Sequence, residues 1–128
     1  MGNREHEFYG YDFDGVVSIG VTPRWTDDII ITGRCIDEAE YVREYVTKNT
    51  GFIGEIIFNP MTLAERGNHT VQARTYSGEH KARTIKKLRE DGFNLTRFFE
   101  DDPIQKAIIE EANPDVEVVH IVSNLVQK

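Results

Sequence analysis

From residue 28 onward, short apolar runs alternate with longer amphipathic ones, and this alternation restricts the fold more than any other feature of the chain. Asp28–Thr32 ("DIIIT") predicts a strand, because β-branched side chains pack well on a pleated surface. Ile36–Lys48 predicts a helix, with Ala39, Val42 and Val46 on one stripe and acids in the first turn. Asn49-Thr50-Gly51 supplies its stop. A strand is expected at Phe52–Phe58, ended by Asn59-Pro60. His80–Asp91 follows as a helix with Ala82, Ile85 and Leu88 inward and a basic outer face. Leu95–Phe99 is a fourth strand, Pro103–Asn113 a helix with proline in its first turn, and Val116–Val122 a fifth strand. Ahead of them all, the aromatic segment Glu7–Tyr11 reads as the first strand. Such an order predicts a parallel sheet layered by helices. Residues 60–78 show no clear period and are expected to form a long loop or short excursion, a kind of segment that often carries function.

With 128 residues the chain is expected to form one domain, large enough to bury a core without disulfide or metal staples. Its net charge of −7 argues against a nonspecific nucleic-acid binder, but leaves room for an enzyme that meets a nucleic-acid end through a local basic patch. A single cysteine, Cys35, permits no intramolecular disulfide and fits a reducing compartment. No apolar run suits a bilayer, and "MGNREHEF" has neither the core of a signal peptide nor the Ser or Thr of a myristoylation signal. A cytoplasmic protein with no membrane partner is the expectation. The four histidines lack zinc-like spacing, and there is no P-loop.

In open parallel sheets, function gathers at the carboxyl ends of the strands. Here those ends read Asp12-Phe13-Asp14-Gly15, Thr32-Gly33-Arg34 and Glu100-Asp101-Asp102-Pro103, with Lys81 at the expected start of the helix entering strand four. Asp12 and Asp14, two apart, would point the same way in a strand. Clustered carboxylates repel unless a cation sits among them, and oxygen ligands suit Mg²⁺. A hydroxyl, free amides and an ammonium suit a phosphate. The chemistry points to a magnesium site that handles a phosphoryl group.

At this point "DFDGVV", "ITGR", "HKARTIKKL" and "FFEDDP", in that order, resemble the four signature motifs of the haloacid dehalogenase-like (HAD) superfamily of phosphohydrolases. The likeness runs from about residue 8 to 122. It implies a Rossmann-like three-layer α/β sandwich with a mainly parallel five-stranded sheet. It also implies a Mg²⁺-dependent phosphatase working through an aspartyl-phosphate. Asp12 matches the nucleophile and Asp14 the general acid and base, with the Asp14 carbonyl facing the metal. Thr32 matches the phosphate-holding hydroxyl, and Gly33 would free amides for phosphate oxygens. Lys81 matches the phosphate-binding lysine, with Lys86 and Lys87 as competitors. Asp101 matches the metal-binding acid, a role Glu100 or Asp102 could serve instead, and Arg34 could touch substrate.

Each residue also has a plainer reading. Asp12 and Asp14 could be capping or turn residues, Thr32 could bond its own backbone, and residues 100–102 could be an acid cluster starting a helix. The short interval 15–28 leaves space for a turn and a short flap, with Trp25 as core or flap packing, so the resemblance is to a capless member without a large cap domain. Capless relatives often act on macromolecules, and Arg66, His69, Arg74 and Lys81–Arg83 could form a basic rim. The expected partner is a phosphorylated small molecule or macromolecule end. Two alternatives stay open: a noncatalytic phosphate-binding domain of the same fold, and a receiver-like phosphoacceptor. The latter wants an acid at the end of strand three, where the sequence reads "FNP".

Overall fold

A computed structural model describes residues 6–24, 27–68 and 70–122. Among these residues five strands form one sheet: β1 (Phe8–Tyr11), β2 (Ile29–Cys35), β3 (Ile56–Asn59), β4 (Leu95–Glu100) and β5 (Glu117–His120). Their order is β3-β2-β1-β4-β5 and every pairing is parallel, a Rossmann-like α/β arrangement. The helices are α1 (Ala39–Thr50), α2 (Leu63–Arg66), α3 (Val71–Glu90) and α4 (Pro103–Ala112).

The isoleucine run shows why the sheet is covered on both sides. Ile30 joins Tyr11, Phe13, Val42 and Val46 on one face, while Ile29 and Ile31 join Ala82, Ile85 and Phe98 on the other. Successive side chains of a strand point oppositely, so a strand buried on both faces is apolar at every position. Helix α1 therefore packs on one face, and α3 and α4 on the other.

Among the described residues between β1 and β2 the chain makes only a 3-10 turn, Val17–Ile19. Asp28, fully buried, closes this connection by accepting the Tyr9 N–H at 3.0 Å, the Tyr11 hydroxyl at 3.2 Å and the Arg24 N–H at 3.1 Å. The expectation for Trp25 falls outside the described residues.

Residues 60–78 are not the expected loop. Thr62 and Glu65 form a capping box that starts α2, and Thr70 caps α3 by accepting the Ala73 N–H at 3.0 Å. Helix α3 thus begins at Val71, well before the expected His80, and Lys81 sits in its middle rather than at its start. Ser77 and Gly78 read as a break because glycine weakens a helix interior. Packing reverses that preference: a β-carbon on Gly78 would lie 3.0 Å from Ile108 Cδ1 and 3.1 Å from Gln105 Cα, so glycine lets α3 and α4 approach closely. Strand β2 also continues past Thr32 to Cys35, with an irregular register between Ile31 and Cys35. Among the described residues no helix is long and apolar enough to cross a membrane.

Candidate active site

Lys81 is the centre of the site. It is 1 % exposed, and its Nζ donates to Asp12 Oδ1 at 2.8 Å, Glu100 Oε1 at 2.8 Å and Gln105 Oε1 at 2.6 Å. Helix α3 carries the lysine across the sheet to acids at the ends of β1 and β4. Burial opposes its charge, but Asp12 and Glu100 outweigh that and hold it protonated, its pKa raised. Asp12 Oδ1 also accepts the Phe13 N–H at 2.8 Å.

Asp12, Glu100 and Asp101 are all buried, and each offers an oxygen within 4.8 Å of the others. Burial, then the neighbouring Glu100, pushes the Asp12 carboxyl well above its ordinary range. Burial likewise raises Glu100. Asp101 is pushed up to about 7 by burial and by the charge of Asp12. One ammonium among three acids leaves the group short of positive charge, which a hard divalent cation would supply. The oxygen-only donor set fits Mg²⁺.

Asp101 is held where it can join this group. Gly15 has φ of +80°, and a β-carbon there would fall 1.8 Å from Asp101 Oδ2, so the carboxylate rests on bare backbone of the β1 loop. His120 Nε2, from the end of β5, donates to the Asp101 main-chain oxygen at 3.1 Å.

Asp14 is in the same cleft, but its side chain is not in the acid triad. Arg34 donates Nε to Asp14 Oδ2 and Nη2 to Oδ1, both at 2.9 Å, and Nη1 to Glu38 Oε2 at 2.8 Å. These acids raise the pKa of Arg34 against the effect of burial. Thr32 is completely buried, and its hydroxyl accepts the Arg34 N–H at 3.0 Å. Its plainer reading, a buried threonine bonding local backbone, describes this bond, although Thr32 lies inside β2 rather than at its end. Gly33 faces Ser77, whose Oγ would lie 2.4 Å from a β-carbon on Gly33.

Asp102 does structural work. It caps α4 by accepting the Ile104 N–H at 2.9 Å and takes two bonds from Arg74, at 2.9 and 2.8 Å. Burial acts to raise its pKa, but Arg74 and the bonds from Ile104 and Gln105 bring it below the ordinary value.

A cleft of about 690 Å³ unites these groups, lined by Asp12, Asp14, Gly33, Arg34, Lys81 and Asp101 among others. Thr32 and Glu100 do not line it, although Glu100 lies directly behind Lys81. The segment 60–78 supplies one wall through Arg66, Asn68, Ala73, Arg74 and Ser77. Of the expected basic rim, Arg66, Arg74 and Lys81 reach the cleft, Ala82 and Arg83 do not line it, and His69 lies outside the described residues. Lys86 and Lys87 are exposed and do not line it.

Glu38, Ser77 and Gln105 were not anticipated. A signal for each was present: Glu38 follows Arg34 by four residues, Ala73, Ser77 and Lys81 repeat at one helical face, and Gln105 sits one turn into α4. Compared with protein-family models, curated proteins and solved structures, the chain matches none of them.

Proposed function

We propose that the chain is a Mg²⁺-dependent phosphomonoesterase of the HAD type, a capless three-layer α/β sandwich acting through an aspartyl-phosphate. The observation that carries this reading is the meeting of Asp12, Glu100 and Asp101 around the Lys81 ammonium at one edge of a cleft. Asp12 and Asp101, which line the cleft, would hold the cation together with the Asp14 carbonyl, while Glu100 stays behind with Lys81 and the Asp102 N–H. When bound, Mg²⁺ neutralises phosphate oxygens and lets a dianion approach carboxylates.

Asp12 Oδ1 is occupied by Lys81 and the Phe13 N–H, so Oδ2 is the reactive oxygen. It forms a bond to phosphorus while the ester P–O bond breaks, and Asp14 gives its proton to the departing oxygen. Asp14 then takes a proton from water, whose oxygen bonds to phosphorus and releases Asp12 with inorganic phosphate. Lys81 steadies the charge on Asp12 and the transferred group. For Asp14 to serve in both steps, one of its oxygens must leave Arg34 while the other stays held and keeps the carboxylate oriented.

The test is turnover of an aryl phosphate with Mg²⁺ by wild type and Asp12→Asn. Loss of turnover in the variant is the expected result, and equal rates would remove Asp12 as nucleophile.

A second reading, a noncatalytic phosphate-binding domain, is favoured by the two-point grip of Arg34 on Asp14 and by the inward Thr32 hydroxyl. Magnesium binding without turnover across a broad panel of phosphate esters would establish it.

A further inference from the structure

We propose that Arg66 forms a subsite for a second phosphate group, so that the substrate carries an anion besides the one presented to Asp12; this rests on the phosphohydrolase reading above. The other cations that line the cleft are each met by carboxylates. Arg34 faces Asp14 and Glu38, Arg74 faces Asp102, and Lys81 faces Asp12 and Glu100. Arg66 differs. Its Nη1 donates to the Gly33 main-chain oxygen at 2.6 Å, and its Nε donates to the Gly67 oxygen at 2.9 Å.

Carbonyl oxygens orient a guanidinium without cancelling its charge. Two of its five N–H groups are engaged this way, leaving three for a ligand. Among the described residues Arg66 makes no ion pair with a carboxylate, in a protein whose net charge is −7. An unneutralised arginine in an acidic chain is a local attractor for an anion, and its planar fork matches phosphate.

Place supports the same conclusion. The bond to Gly33 fixes Arg66 beside the strand end that carries Arg34, and both residues line the cleft that Asp12 and Lys81 line. At about 690 Å³ the cleft is within the range of sites for whole small ligands, larger than one phosphoryl group requires. A substrate with two phosphates, one at the acid triad and one at Arg66, uses that space and the spare charge together. The second phosphate can come from a free nucleoside bisphosphate or from the backbone of an oligonucleotide end.

Steady-state kinetics with three esters separates these cases: an aryl phosphate, a nucleoside bisphosphate and an oligonucleotide bearing a terminal phosphate. Arg66→Gln should reduce kcat/KM for at least one two-phosphate ester about tenfold or more relative to the aryl phosphate, the scale of a charge-assisted hydrogen bond. Arg66→Lys keeps the charge but loses the fork, and its preference should fall between those of wild type and Arg66→Gln. Loss of preference for the bisphosphate assigns a free nucleotide, and loss for the oligonucleotide alone assigns a chain end. An unchanged ratio for both in Arg66→Gln overturns the subsite. Should wild type hydrolyse none of the three, the phosphatase reading has failed. Equilibrium binding of the nucleoside bisphosphate and the oligonucleotide then decides the subsite: weaker binding of either by Arg66→Gln supports it, and equal binding of both overturns it.

Discussion

Arg34 holds Asp14 by two parallel bonds of 2.9 Å, Nε to Oδ2 and Nη2 to Oδ1, which fixes the plane of the carboxylate as well as its position. The pair is partly exposed, 29 % for the Arg34 side chain and 48 % for Asp14. Its contribution to stability is therefore small, about 1 kcal/mol or less. In the proposed reaction Asp14 transfers protons, and its orientation matters far more to rate. Arg34→Gln is expected to leave the unfolding midpoint in urea nearly unchanged while lowering kcat about tenfold or more, within the range of general acid–base catalysis. Unchanged kcat would remove Arg34 as the residue that positions Asp14.

Lys81→Met removes the ammonium between Asp12 and Glu100 and leaves two buried acids facing each other. Stripping one partner from such a group costs about 3–5 kcal/mol. The loss should be largest at pH 8, where the acids are most ionised, and smaller at pH 5, where protonation relieves the repulsion. Added Mg²⁺ should restore part of it. Urea denaturation at the two pH values checks both statements, and a loss independent of pH would contradict the proposed charge balance.

Mg²⁺ affinity should rise with pH. Asp101, with its pKa near 7, is mostly protonated at pH 6 and mostly ionised at pH 8. A cation that requires the carboxylate must displace the proton, so affinity should increase about tenfold over that interval, following the ionised fraction. Isothermal titration in two buffers of different ionisation enthalpy reads the affinity and the released proton together. Asp101→Asn should weaken binding and reduce the proton release, the remainder coming from Asp12, whose carboxyl is also raised.

His80, buried on α3, sets an acid limit to stability. Its Nε2 makes no well-formed hydrogen bond, although the carbonyls of Ile57 and Thr32 lie close enough to favour protonation slightly. Burial, then the charges of Lys81 and Arg83, lower its pKa from 6.5 to about 4. Between those values the unfolded chain binds a proton that the folded one refuses. Stability is therefore present above pH 6.5 and is lost as pH falls toward 4, by about 3 kcal/mol in all. In urea titrations His80→Asn should lack this share of the pH dependence. A variant with the wild-type slope would remove His80 as its source.

The central fold was legible because it depends on local pattern. Ile29–Ile31 can be satisfied only between two helical layers, and Pro103 marks the start of α4 wherever the chain goes. The early turns of α3 were not legible, since Gly78 looks like a stop until Ile108 and Gln105 are seen against it. The acids that gather at the site could be read from strand ends, and Asp12, Lys81 and Asp101 do converge. The sequence pattern puts Lys81 at a helix start, whereas it reaches the acids from mid-helix. How the carboxylates divide their partners was hidden. Glu100 joins Asp12 and Asp101 in the side-chain triad, Asp102 caps a helix, and the Thr32 hydroxyl turns to the Arg34 amide. Those choices depend on side-chain direction at the β2 irregularity and at the first turn of α4, which composition does not encode.

The three bonds of Lys81 span sequence separations of 69, 19 and 24 residues. An ammonium cannot shed water until its oxygen partners are in place. β1, β4 and α4 must therefore be registered against α3 before this lysine is drawn in, and long-range registration of that kind is slow. Closing the site is accordingly a late event in folding: conservative changes at Lys81 should act mainly on the unfolding rate, and collapsed intermediates should carry the lysine still hydrated.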